Sequence, residues 1–265
     1  MKQQVYITKP IGLREPCAEV ETVCRNARVY QFGGQLKHIV LPMDPGTGRS
    51  TFIEYLTSMF RAYGVLEFAC SRNPYIEIAV DASSPKQVQE TFNRINAAAD
   101  YANKYKDVVG LDISDMANYQ NQAQMKEYLP NVRALCKNAF VIFFVHANPS
   151  KNETELINKT IEAVGGQDKV KHLCISAYTK EDICALIVKF LTDHGIETEQ
   201  TSQFNKALLN VVSEFCLTGV KDAINTAQEL VHFADFSDVI PVVNAGSLKS
   251  MADCWHNSSE RSETK

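Results

Sequence analysis

The chain reads as an α/β protein: a parallel sheet flanked by helices, followed by a small all-helical part. Three observations predict this. Short apolar runs alternate with amphipathic helical stretches between residues 38 and 177, the pattern that builds a parallel sheet through crossover helices. The run AFVIFFV at residues 139–145 is apolar on both faces, as a central strand covered on each side must be. Beyond residue 178 strand-like runs give way to helical periodicity.

Residues 1–37 carry no established motif and are expected to form an N-terminal extension packed on the core. Val5-Tyr6-Ile7 has strand character, residues 18–30 mix valines with charges, and Gly33-Gly34 turns the chain. Ile39-Val40-Leu41 then reads as a strand that breaks at Pro42. A loop with Gly46 and Gly48 follows, and after it a helix carrying Phe52, Ile53, Leu56, Met59 and Phe60. Strands are predicted over residues 65–70 and 75–80, separated by the turn-forming Ser-Arg-Asn-Pro. Ser84, with Gln87 three residues on and Pro85 at the first helical position, starts a helix lined by Val88, Phe92, Ile95, Ala99 and Ala102.

A strand at residues 108–113 precedes a helix over 121–137, notched by Pro130, which leads into the 139–145 strand. A helix over 153–164 stops at Gly165-Gly166, and residues 170–176 supply one more strand. Thr179 can cap a helix striped by Ile183, Leu186, Ile187, Phe190 and Leu191, which Gly195 ends. Helices over 204–216 and 220–236 follow. The expected division is therefore an extension (1–37), an α/β core (38–177), a helical part (178–244) and a polar, Ser-rich, mobile tail (245–265). Trp255, the single tryptophan, has no partner assignable from sequence.

Bulk properties narrow the classes. A chain of 265 residues holds one large α/β domain, or a core with a small second domain. A net charge of -4 gives no general attraction to nucleic acid, though it leaves room for a local basic patch. No apolar run approaches the ~18 residues of a membrane span, and no secretory signal opens the chain. The eight cysteines are scattered without a C-x-x-C pair; those at 70, 136, 174 and 184 lie in or beside apolar runs and read as small hydrophobes. A reduced, cytoplasmic protein is expected.

The chemistry concentrates in the loop Met43-Asp-Pro-Gly-Thr-Gly-Arg-Ser-Thr51. Strand, glycine-containing loop and helix in that order bring backbone N–H groups and a helix N-terminus together on an anion. The string resembles the Walker A motif of the AAA+ ATPases, with Met43 at the first glycine and Arg49 in place of the lysine. The resemblance implies a nucleotide contact through Asp44, Pro45, Gly46, Thr47, Gly48, Arg49, Ser50 and Thr51, with Ser50 a magnesium ligand. Arg49 keeps the positive charge, but a planar guanidinium is not interchangeable with an ammonium. Asp44 works against phosphate unless it points away.

The resemblance extends over roughly residues 36–236. Asp112, after Val108-Val-Gly-Leu111, matches the Walker B aspartate, which holds magnesium through water. Ile113 stands where the family has its catalytic glutamate. Asp115 is the nearest spare carboxylate, either catalytic or simply a loop acid. Asn148, or else His146, matches the sensor 1 position, although Asn148 could equally cap the turn before Pro149. Residues 176–191 look like the entry to the family's helical lid, and residues 218–225 resemble its sensor 2 segment with Lys221 for the arginine.

No arginine occurs between Arg133 and Arg261, so both the arginine finger and sensor 2 could only be lysine. A finger is worth about 10³–10⁵ in rate in GTPase systems. The resemblance thus implies a P-loop NTPase-type parallel sheet flanked by helices with an α-helical lid, binding ATP and Mg²⁺ with weak or absent hydrolysis. A nucleotide-free scaffold is the alternative. A GTPase-like switch is a third reading, on Ile175-Ser176-Ala177, but no N-K-x-D follows Val145. Self-association or a protein partner is a family expectation.

Overall fold

The computed structural model describes residues 7–30, 36–65, 75–81, 83–105, 107–114, 122–237 and 239–263. It divides into two compact units, Met1–Ser176 and Ala177–Lys265.

The first unit is built on five parallel strands: β1 (His38–Pro42), β2 (Tyr75–Ala79), β3 (Val108–Asp112), β4 (Phe140–Val145) and β5 (Val170–His172). Their order across the sheet is β2-β3-β4-β1-β5. All six residues of the middle strand, β4, are buried. Because side chains alternate along a strand, Val141, Phe143 and Val145 face one layer while Phe140, Ile142 and Phe144 face the other. The first layer comes from α3 (Pro85–Tyr105), α4 (Gln122–Asn138) and α5 (Lys151–Ala163), through Phe92, Ile95, Tyr128, Leu135 and Ile161. The second comes from α1 (Arg14–Tyr30) and α2 (Arg49–Tyr63), through Cys17, Val20, Phe52, Ile53 and Phe60. A Cβ on Gly110 of β3 would lie 2.6 Å from Ile53 Cδ1 and 3.0 Å from Phe144 Cε2. Glycine there is what lets α2 press onto the sheet.

Several boundaries differ from the sequence expectation. Residues 18–30, left unassigned by periodicity, lie within α1, whose buried stripe uses Cys17, Val20 and Cys24 rather than the valines alone. Burial pushes these thiols up, Cys17 to about 11 and Cys24 to about 12, so both serve as small apolar groups. The strand expected at 65–70 falls almost wholly outside the described residues. β5 is shorter than expected because its ladder with β1 covers only His38–Val40, opposite Val170–His172. Pro130 sits inside α4 without ending it.

The second unit packs α6 (Lys180–Asp193), α7 (Ser202–Glu214), α8 (Val220–Val231) and α9 (Ala245–Glu263) around Ile183, Ile187, Phe204, Leu208, Ala227 and Leu230. Thr179 and Asp182 form a reciprocal capping box at α6. A two-residue parallel pair, β6 (Glu197–Thr198) with β7 (Val242–Val243), joins the edges. The last segment corrects an expectation: residues 245–263, read as a mobile polar tail, are helical. Leu248, Met251 and Trp255 recur at helical spacing, the first two fully buried. Trp255 meets Phe215 edge-on, ring centroids 4.6 Å apart. Asn244 caps the helix by accepting from the Ser247 N–H at 3.0 Å. Three apolar residues suffice to anchor the helix, and the surrounding serines hid them.

Candidate functional site

The loop leaves β1 at the carboxyl end of the sheet, where open α/β sheets place their ligands. The Met43 N–H extends the ladder by donating to Val145 O at 2.8 Å. Its side chain turns inward, 2% exposed, among Leu41, Phe52 and Leu56. Among the described residues Cys216 alone combines a side chain with positive φ, so position 43 does not require glycine. Gly46 and Gly48, at φ +80° and +99°, do adopt the left-handed conformation. Thr47 tightens the turn by donating its hydroxyl to Asp44 O at 2.6 Å. Gly48 then opens α2 with no side-chain cap and no acidic residue in the first turn. That helix terminus keeps its first N–H groups and its positive dipole end available.

Asp44 is engaged away from the turn: its carboxylate accepts from the Ala147 N–H at 3.3 Å. Pro45 and Gly46 are exposed, as are Ser50 and Thr51. Arg49 is the most constrained of the set. It is 6% exposed and held from three sides. Its Nε donates to Met43 O, Nη1 pairs with Asp112 Oδ2, and the guanidinium carbon lies 5.1 Å from the Phe144 ring centroid. Nη2 is buried without a hydrogen-bond partner among the described residues.

Asp112 ends β3, and its other oxygen accepts from Ser114, at 3.1 Å from the N–H and 2.6 Å from the hydroxyl. The Ser50 hydroxyl donates to Glu77 Oε2 on β2 at 2.8 Å. Magnesium takes near-octahedral oxygen ligands and is bound by carboxylates that are free to point at it or at its waters. Here Asp112 already receives three donors, one of them a buried guanidinium that pairs with it. This donor arrangement does not fit a magnesium ion.

Around the loop after β4, His146 donates its backbone N–H to Glu153 Oε1 at 2.7 Å, and its Nδ1 meets Oε2 at 3.0 Å. That bond holds the imidazole pKa above its ordinary value, with Asp44 and Asp112 adding to the rise against a desolvation penalty. Glu153 is 2% exposed on the first turn of α5, where Ser150 caps its N–H at 3.2 Å. Asn148 is exposed in the same loop. Asp115 lies outside the described residues. Lys221 is exposed on the first turn of α8 in the second unit, beside Asp222, whose carboxylate accepts from the Thr218 and Gly219 N–H groups.

The structure thus brings Asp44, Arg49, Ser50, Asp112 and His146 to the same end of the sheet and adds Glu77, Ser114 and Glu153, which sequence reading had not singled out. Glu153 had a signal, the Ser150-x-x-Glu153 capping pattern. Glu77 had none, since its role depends on β2 lying at the sheet edge beside β3.

Two cavities, about 490 and 520 Å³, open elsewhere on the first unit. The first lies at the opposite end of the sheet, lined by His38, Asp107, Arg133, Lys137 and Lys169. Its groups have structural work. Arg133 donates to Ala163 O in the last turn of α5 at 2.7 Å. His38, which burial pushes down to about 4, accepts from the Val141 N–H at 3.2 Å. Cavity size here does not mark the chemistry.

No protein-family model matches the chain, and no curated protein sequence does. Solved structures do. The chain is similar to RuvB variants from Thermotoga maritima at 13% identity. For one of them the TM-score is 0.57, covering 92% of this chain and 70% of that one; another gives 0.56 over the same shares. A katanin structure matches at 14% identity and TM-score 0.55, covering 88% of this chain and 80% of that one. Both proteins are AAA+ ATPases. The chain has an AAA+ P-loop ATPase-like fold.

Proposed function

We propose that this chain, on its AAA+ ATPase-like fold, binds a nucleoside triphosphate, ATP above GTP, at the loop from Met43 to Thr51. The observation that carries the reading is the uncapped N-terminus of α2 behind two left-handed glycines. The unpartnered Arg49 Nη2 beside it supplies a buried donor. Bound nucleotide would set how the helical unit is arranged with respect to the sheet unit, and that change would be the output. Lys221, on the first turn of α8, would be its phosphate-sensing side chain.

Hydrolysis is expected to be slow or undetectable. A general base must come within hydrogen-bond reach of the attacking water. Ile113 has no carboxylate, and Asn148 could at most orient a water, with Asp115 the remaining acid to test. Katanin self-assembles; self-association of this chain, or docking on a protein partner, is the corresponding proposal here. A cytoplasmic setting accords with the free thiols among the described residues.

A second reading is favoured by one specific observation. Arg49 is paired internally with Asp112, and Asp44, Glu77 and Asp112 surround the loop with negative charge. On that reading the loop has become structural and the fold serves as a nucleotide-free scaffold. Calorimetric titration of the full chain with a non-hydrolysable ATP analogue, and with GTP, separates the two. Saturable heat with the ATP analogue is expected. Silence with both ligands would leave only the scaffold. Phosphate release, measured beside an Arg49→Lys variant, is expected to stay at background for the wild type.

A further inference from the structure

We infer that this site takes its nucleotide without magnesium; the inference rests on the nucleotide-binding reading above. In a phosphate loop a lysine on a flexible stem can reach the phosphates and leave the strand-end aspartate to the metal. Arg49 cannot divide the work that way. Its Nε is committed to Met43 O, its Nη1 to Asp112, and its guanidinium carbon lies over the Phe144 ring. At 6% exposure it could leave only by stranding a carboxylate and a carbonyl.

Asp112 is equally committed. Between Arg49 and Ser114 its two oxygens take three donors. A divalent cation recruited there would have to displace a buried cation or sit beside it. The fixed guanidinium therefore occupies the place beside Asp112 that a metal would take. It neutralises that carboxylate and leaves Nη2, with its two N–H groups, buried without a partner among the described residues. Together with the open N–H groups at the start of α2, this gives a site for a free nucleotide anion.

The test is a pair of titrations of the full wild-type chain with a non-hydrolysable ATP analogue, one in excess EDTA and one in excess magnesium. The two dissociation constants are expected to agree within about twofold. Binding that needs magnesium, tighter by about tenfold or more, would overturn the inference and leave the nucleotide site standing. No heat in either buffer would overturn both. An Arg49→Lys chain, able to release Asp112, is expected to acquire a magnesium dependence of about tenfold. If it binds equally in both buffers, the guanidinium is not what replaces the metal.

Discussion

Arg49→Ala is expected to destabilise the first unit by about 3–5 kcal/mol, the cost of stranding one member of a buried ion pair. The variant leaves Asp112, 15% exposed in its side chain, facing a void with Ser114 its remaining partner among the described residues, and it removes the Arg49 Nε donor from Met43 O. In a unit of this size the loss corresponds to a fall in Tm on the order of 10 °C, readable by thermal melting. A lysine whose sole task was to touch a ligand would give a far smaller change. The double variant Arg49→Met/Asp112→Leu should melt closer to wild type than either single replacement, because the charges leave together. Strict additivity of the two losses would show that the residues do not interact.

Ile113→Glu, the change that would write an Asp-Glu pair at the end of β3, is expected to fail. Side chains alternate along the strand: Asp112 faces the loop, and Ile113, 1% exposed, faces the opposite layer with Ile78, Val80 and Val145. Its N–H is fixed to Phe144 O at 3.0 Å. A carboxylate there would be buried in that apolar cluster, so the expected result is a loss of about 3–5 kcal/mol and no gain in phosphate release. A variant that kept its Tm and released phosphate briskly would mean that position 113 faces nucleotide after all.

Much of the fold was legible because its signals are local. The doubly apolar run at 139–145, the Ser84-Pro85 start and the Ile183–Leu191 stripe each declare an element without help from the rest of the chain. The helices at the two ends were not legible for a common reason. α1 buries two cysteines, and α9 buries Leu248 and Met251 and half-buries Trp255 among serines, so their apolar faces fall below what periodicity can register.

The loop was legible as a motif, through its glycines and the helix after it. What its side chains do was not. The Arg49–Asp112 pair joins the first residue of α2 to the last residue of β3, far apart in sequence, and the Ser50–Glu77 bond requires β2 to neighbour β3. Met43 looked like a defect in the loop. It is a core residue whose backbone carbonyl holds Arg49 in place, and its conformation needs no glycine.

The central claim is that the loop from Met43 to Thr51 is where an anion binds, and amide hydrogen exchange with and without a non-hydrolysable ATP analogue tests it most directly. With ligand at about ten times its Kd, exchange at the amides of residues 46–51 should slow by roughly tenfold. The amides of His38, Lys137 and Lys169 around the opposite cavity should be unaffected. Unchanged exchange at 46–51, with protection appearing at that cavity or nowhere, would contradict the account.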